Sequence, residues 1–188
     1  MDTNIRARRG DWMQTFTGRA YWPLDPQPGD VDIRDIAHAL SMMCRYGGHT
    51  NRFYSVAEHS VAVSRLLPRE YAMLGLMHDA TETYLYDLIR PVKRCVQGYA
   101  ELEQINWLAI AERFDLAPTI PHIVHQADEA LLFVEHEKFM NPHPLQWDIS
   151  LDGNQFAQRL SEVELFGHLP RLAELQFLAR FDELRGVK

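Results

Sequence analysis

Apolar residues in this chain recur at intervals of three and four along six stretches, and that period confines most of the chain to amphipathic helices. The first stretch reads Ile33, Ile36, Ala37, Leu40, Met43, with Asp32 as a helix N-cap and Gly47-Gly48 as its stop. The second opens on Ser55-Val56-Ala57-Glu58, a capping box with Ser55 at the cap and Glu58 at the third helical position. It continues through Val61, Val63, Leu66 and Leu67. Pro68 suits the first turn of a third helix, which runs through Ala72, Leu74, Leu76 and Met77 into His78-Asp79 before Ile89-Arg90-Pro91 breaks the pattern. Further helices are expected over roughly Tyr99 to Phe114, from about Pro121 to Phe139, and over Leu169 to Leu184. Asn141-Pro142-His143-Pro144 ends the fifth of these. Met13 to Leu24 instead reads as a short hairpin broken at Gly18-Arg19, followed by the loop Asp25 to Asp30. The fold class is therefore an all-α helical bundle with a small N-terminal β-hairpin. It forms a single domain over residues 1–188, of which 1–31 are an N-terminal extension.

At 188 residues and 46% hydrophobic the chain can bury a full core. Its net charge of −7 argues against a nucleic-acid polymer as partner. It leaves room for a small anion, because a local cationic pocket can sit in an acidic protein. Cys44 and Cys95 are too few for a disulfide framework, so reduced thiols and a cytoplasmic location are expected. The N-terminal Arg6, Arg8 and Arg9 precede no apolar run, so no signal peptide is expected, and no stretch reads as membrane-spanning.

Four residues sit awkwardly in these apolar helices: His59, the doublet His78-Asp79, and Asp128. Buried charges must be paired or must hold a metal. Two imidazoles and two carboxylates from three helices of a bundle make a mixed nitrogen–oxygen site for one divalent ion. Affinity order and availability decide among Mn, Co, Mg, Zn, Ni and Fe, so the ion is not fixed by the ligand types. In an octahedral shell, four protein ligands leave about two positions for water or substrate.

The set His59…His78-Asp79…Asp128, with its contexts Tyr54 to Ser60, Leu76 to Glu82 and Gln126 to Asp128, resembles the HD superfamily of metal-dependent phosphohydrolases. The chain is most similar to the small single-domain members, the bacterial 5′-deoxynucleotidases and the phage dATP triphosphohydrolases. That resemblance implies an HD-domain helical bundle and hydrolysis of a nucleotide phosphate ester, most of all a deoxynucleotide, by metal-activated water attacking the α-phosphorus. It implies a homo-oligomer, a dimer or larger. By the same resemblance His59, His78, Asp79 and Asp128 are metal ligands and Glu82 orients the attacking water. Asp87 matches the proton donor to the leaving group. Arg45 and Lys93 match phosphate contacts, and Tyr46 stands where the deoxynucleotidases carry a Trp beside the sugar. His49, after Gly47-Gly48, is a further substrate-pocket candidate.

Three alternatives stand beside this reading. A dNTP triphosphohydrolase would use the same attack to expel triphosphate, with Arg52, Arg90 and Arg94 as extra cations. A non-catalytic sensor would keep the metal ligands without needing Glu82. A binuclear site would recruit His122 and His125, whose spacing from Asp128 fits it poorly. Trp12, Tyr21 and Trp22 suit either hairpin packing or a nucleobase platform.

Overall fold

The computed structural model describes residues 8–143, 145, 147 and 150–186. Eight α-helices and one two-stranded hairpin are present among them. Strands β1 (Met13–Gln14) and β2 (Ala20–Tyr21) pair antiparallel, Met13 opposite Tyr21. The helices are α1 (Ile33–Met42), α2 (Val56–Leu66), α3 (Arg69–Met77), α4 (Glu82–Leu85), α5 (Arg90–Lys93), α6 (Tyr99–Phe114), α7 (His122–Phe139) and α8 (Pro170–Arg185). The all-α class with its N-terminal hairpin is as expected from the periodicity.

Helix α2 is the axis of the fold. Every residue in it except Arg65 is buried, and it packs against α1, α3, α7 and α8. Its start is fixed by Ser55, whose hydroxyl accepts the Glu58 amide at 3.1 Å. The other half of the expected capping box is not made. The Glu58 carboxylate instead accepts the backbone amides of Phe166, Gly167 and His168 at 2.6, 3.0 and 2.6 Å, and so clamps the segment leading into α8. Helix α1 is capped by Asp32, which accepts the Arg34 amide. It ends at Met42, earlier than the Gly47-Gly48 stop, because Cys44 turns extended to bridge Ser55.

Helix α3 also ends sooner than its pattern suggests. His78 is its C-cap, and Asp79 lies in the turn that follows. Asp79 and Glu82 are therefore neighbours through a turn, with the Glu82 amide donating to the Asp79 carbonyl, and not through one helical face. Helices α2 and α3 cross closely at Gly75, where an added Cβ would lie 2.4 Å from Leu67 and 3.3 Å from the Ser64 backbone. The hairpin is moored by Tyr21, whose hydroxyl donates to Asn106 of α6 at 2.6 Å and whose ring stacks on Tyr84 of α4. Tyr21 and Trp22 are core residues and pack the hairpin, whereas Trp12 is half exposed.

Candidate metal centre

Three elements deliver the expected ligands to one point. His59 comes from the first turn of α2, His78 from the end of α3 and Asp128 from the second turn of α7. One nitrogen from each histidine and one Asp128 oxygen lie within 4.8 Å of one another. His59 Nε2 is 3.3 Å from His78 Nε2 and 3.1 Å from Asp128 Oδ1. Asp79 Oδ2 stands 3.2 Å from His78 Nε2 and 3.6 Å from His59 Nε2.

The partners on the far side of each ring fix what those atoms are. His78 Nδ1 lies 2.7 Å from the Gly75 carbonyl, which can only accept, so Nδ1 carries the proton. His59 Nδ1 lies 2.6 Å from Glu135 Oε1, and burial of that carboxylate is outweighed by Arg45 and His59, which hold it down at about 2. His59 Nδ1 therefore donates as well. Both neutral rings then present bare Nε2 lone pairs to each other and to two carboxylate oxygens. Lone pairs at such spacing repel unless a cation sits among them. Separations of about 3 Å are what ligands at roughly 2.1 Å around one metal ion produce. The donor set fits a divalent ion, with His59, His78 and Asp128 as its core and Asp79 at the rim.

Without an ion, a proton takes that place. Burial and Arg45 push the His59 imidazole down, yet Glu135 and Asp128 lift it to about 9. Burial would raise Asp128, but the bond and charge of His59 hold it at about 2. Asp79 is likewise held below the usual carboxylate range, burial being outweighed by His78, His59 and Arg45.

A cavity of about 600 Å³ opens beside these ligands. Asp79, Asp128, Glu82 and Asp87 form its acidic wall, and Arg45, Arg90 and Lys93 are its cations. Leu88, Ile89, Pro91, Leu132 and Trp147 supply an apolar side. Glu82 is buried, and its Oε2 has no hydrogen-bond partner among the described residues. Burial first, then the charges of Asp79 and Asp87, hold its carboxyl well above the ordinary range. Burial raises Asp87 in the same direction.

Arg45 reaches the cavity from a tight turn, Arg45–Gly48, in which Tyr46 adopts the left-handed region at φ 58°. That conformation costs a non-glycine residue about 1–2 kcal/mol. The Tyr46 hydroxyl, bonded to Glu135, holds it there. Arg45 itself pairs with Glu135 at 3.1 Å and approaches Asp79 at 3.6 Å. Lys93 lines the cavity but is engaged by Glu103 of α6 at 2.5 Å.

Several expected positions fall elsewhere. His49 is exposed and does not line the cavity, because the left-handed residues Tyr46, Gly47 and Gly48 turn the chain away. Arg52 lies over the Phe139 ring and Arg94 is outside the cavity lining. His122 and His125 are exposed and outside the ligand cluster. His125 does line a second cavity, about 480 Å³, that shares Asp79, Lys93 and Asp128 with the first.

Two site residues are not anticipated by the sequence patterns above. Glu135 lies two helical turns after Asp128, and an acidic residue recurring in an apolar register is the signal for it. Trp147 lies against Tyr46 and His136 with centroids 5.8 and 4.7 Å apart, and no local pattern marks it.

No helix among the described residues is long and apolar enough to cross a membrane. Comparison with models of known protein families finds no match. The chain is 38% identical over 129 residues to an uncharacterized protein of Rhodobacter capsulatus, across 63% of this chain and 66% of that one. It is 34% identical over 183 residues to the uncharacterized protein YfdR of Escherichia coli K12, across 94% of this chain and 97% of its relative. With near end-to-end similarity at that level, the chain belongs to the family of Escherichia coli YfdR.

Proposed function

We propose that this protein is a metal-dependent phosphohydrolase that cleaves the phosphate ester of a nucleotide, with deoxynucleoside monophosphates as its substrate class. The observation that carries the proposal is one of adjacency. A cluster of lone pairs suited to a divalent ion opens onto a cavity with carboxyls on one wall, two of them with raised proton affinity, and cations and apolar residues on the others.

A divalent ion in the cluster supplies Lewis acidity and lowers the pKa of its water. The protein's own groups do the rest. Glu82, once ionised, offers an unpartnered carboxyl oxygen to orient a water and take its proton. Asp87, raised by burial, can deliver a proton to the leaving oxygen. Arg45 can bridge to a phosphoryl oxygen from its anchored position. The apolar side gives a nucleoside somewhere to bury its base.

The cations favour one phosphate over three. Arg45 is engaged by Glu135 and Asp79, and Lys93 by Glu103. Arg90 is the one cavity-lining cation with no ion pair among the described residues. A phosphate monoester brings about −2 charge, which this set can balance. Two further phosphates would face the acidic wall without partners, since Arg52 and Arg94 are directed elsewhere. The deoxy sugar rests on the resemblance of the motif blocks alone.

The test is an assay of the purified protein with Mn²⁺, Co²⁺ or Mg²⁺ against a panel of ribo- and deoxynucleotides. Phosphate release from monophosphates is expected. Release of intact triphosphate would replace the monophosphate reading. Absence of any turnover by protein with metal bound would overturn the enzyme and leave a sensor.

A further inference from the structure

Glu135 is fully buried on α7, and its two oxygens face opposite halves of the site. Oε1 accepts from His59 Nδ1 at 2.6 Å and from the Tyr54 hydroxyl at 2.8 Å. Oε2 accepts from Arg45 Nη2 at 3.1 Å and from the Tyr46 hydroxyl. Its acceptor capacity is thus divided evenly, one oxygen to the metal ligand and one to the phosphate cation.

We propose that Glu135 is a positioning residue that locks His59 and Arg45 into a fixed register, so that the metal half and the phosphate half of the site are set by one carboxylate. A carboxylate behind a ligating imidazole fixes its tautomer and raises its basicity, and losing such a partner typically weakens metal binding about 10–100-fold. Glu135 differs from a simple partner in having its other oxygen committed to Arg45. A planar group cannot rotate to improve one side without spoiling the other. Four donors surround it, so an amide in its place would turn an N–H toward a donor on one side. A shorter carboxylate would keep the charge but could not span both sides. The anchor is also rigid: Asp128 and Glu135 are about 10 Å apart along one helix face. The ligand, the clamp and the phosphate arm therefore share a single frame.

The phosphate half rests on the proposed function; the metal half does not. The experiment is a Co²⁺ titration followed by visible absorption, then an inorganic phosphate titration of the Co²⁺-loaded protein. The variants are Glu135→Gln, Glu135→Asp and Tyr46→Phe. Glu135→Gln is expected to lose at least tenfold in Co²⁺ affinity with a shifted absorption band, and also to bind phosphate at least fivefold more weakly. Glu135→Asp should lose at least fivefold in both, since charge without reach does not position. Tyr46→Phe, which removes one donor from Oε2, should weaken phosphate about threefold and leave Co²⁺ affinity within twofold.

Wild-type Co²⁺ affinity and an unchanged band in a folded Glu135→Gln would overturn the proposal. So would a Glu135→Asp that matches wild type. If neither Glu135 variant folds, Tyr46→Phe decides: wild-type affinity for both ligands overturns it. Should the phosphate arm show no binding in any protein while the Co²⁺ arm behaves as expected, the failure belongs to the phosphohydrolase reading and not to the anchoring of His59.

Discussion

Metal binding at this site should expel a proton from His59, and the number can be worked from the geometry. In the metal-free protein Glu135 and Asp128 lift the imidazole to about 9 against the effects of burial and Arg45. At pH 7 a group with that pKa is about 99% protonated. An ion needs the bare Nε2, so each ion bound releases about one proton. Asp128, held near 2, and Asp79, held low as well, are already anionic and add none. Affinity should therefore rise about tenfold per pH unit, or roughly a hundredfold between pH 6 and pH 8. The sign in the absence of metal is the reverse. A raised imidazole stabilises the metal-free fold below its unfolded value near 6.5, and that increment disappears as pH climbs through about 9. Isothermal titration with Co²⁺ or Mn²⁺ in buffers of different ionisation heat measures the released protons directly. Heats that do not depend on the buffer, with an affinity flat from pH 6 to 8, would refute the assignment of His59 as both ligand and proton carrier.

Three substitutions probe the rest of the structure. Glu58→Ala removes three short carboxylate–amide bonds, and at about 1–2 kcal/mol net for each it should cost roughly 3–6 kcal/mol. At about 2–4 °C per kcal/mol the melting temperature should fall by roughly 6–24 °C in a thermal melt, and a drop under about 3 °C would contradict the clamp. Glu82→Gln should cut turnover by about 10²–10⁴-fold while Co²⁺ affinity, read by titration, stays within a few fold. Arg90→Met should raise KM about tenfold or more for a nucleotide monophosphate, the value of a charge-assisted bond, whereas Arg94→Met should leave steady-state kinetics unchanged.

The long helices are legible in the sequence because their apolar period and their caps are local. Asp32 and Ser55 mark ends that the backbone uses, and α6, α7 and α8 lie within about a residue of their expected spans. Helices α4 and α5 have four residues each and too little sequence to show a period. Tertiary packing decides them, and Pro91 sits in the first turn of α5 where the pattern alone suggests a break. The same limit governs the site. His59, His78 and Asp128 carry a motif and are readable. Glu135 bonds residues 76 to 90 positions away, and Glu58 bonds residues 108 to 110 away. Apart from the two-turn spacing of Glu135 from Asp128, nothing local distinguishes these carboxylates from a solvated helix acid. His49 fails for a different reason: proximity to Arg45 in sequence says little when three successive left-handed residues intervene.

Glu58 and His59 are separated by one peptide bond, yet their side chains diverge by about 100° around the helix and serve different partners. Glu58 holds the segment leading into α8, and His59 faces the cation pocket. A tug on residues 166–168 is therefore transmitted through a single turn of α2, whose opposite end is buried and cannot yield. The C-terminal segment acts as a tether on the most sensitive ligand of the pocket. A disruption of residues 166–168 would disturb the pocket more than their distance in sequence suggests, while Gly18 in the β1–β2 turn, exposed and with nothing within 4 Å of an added Cβ, is the safer place for a handle.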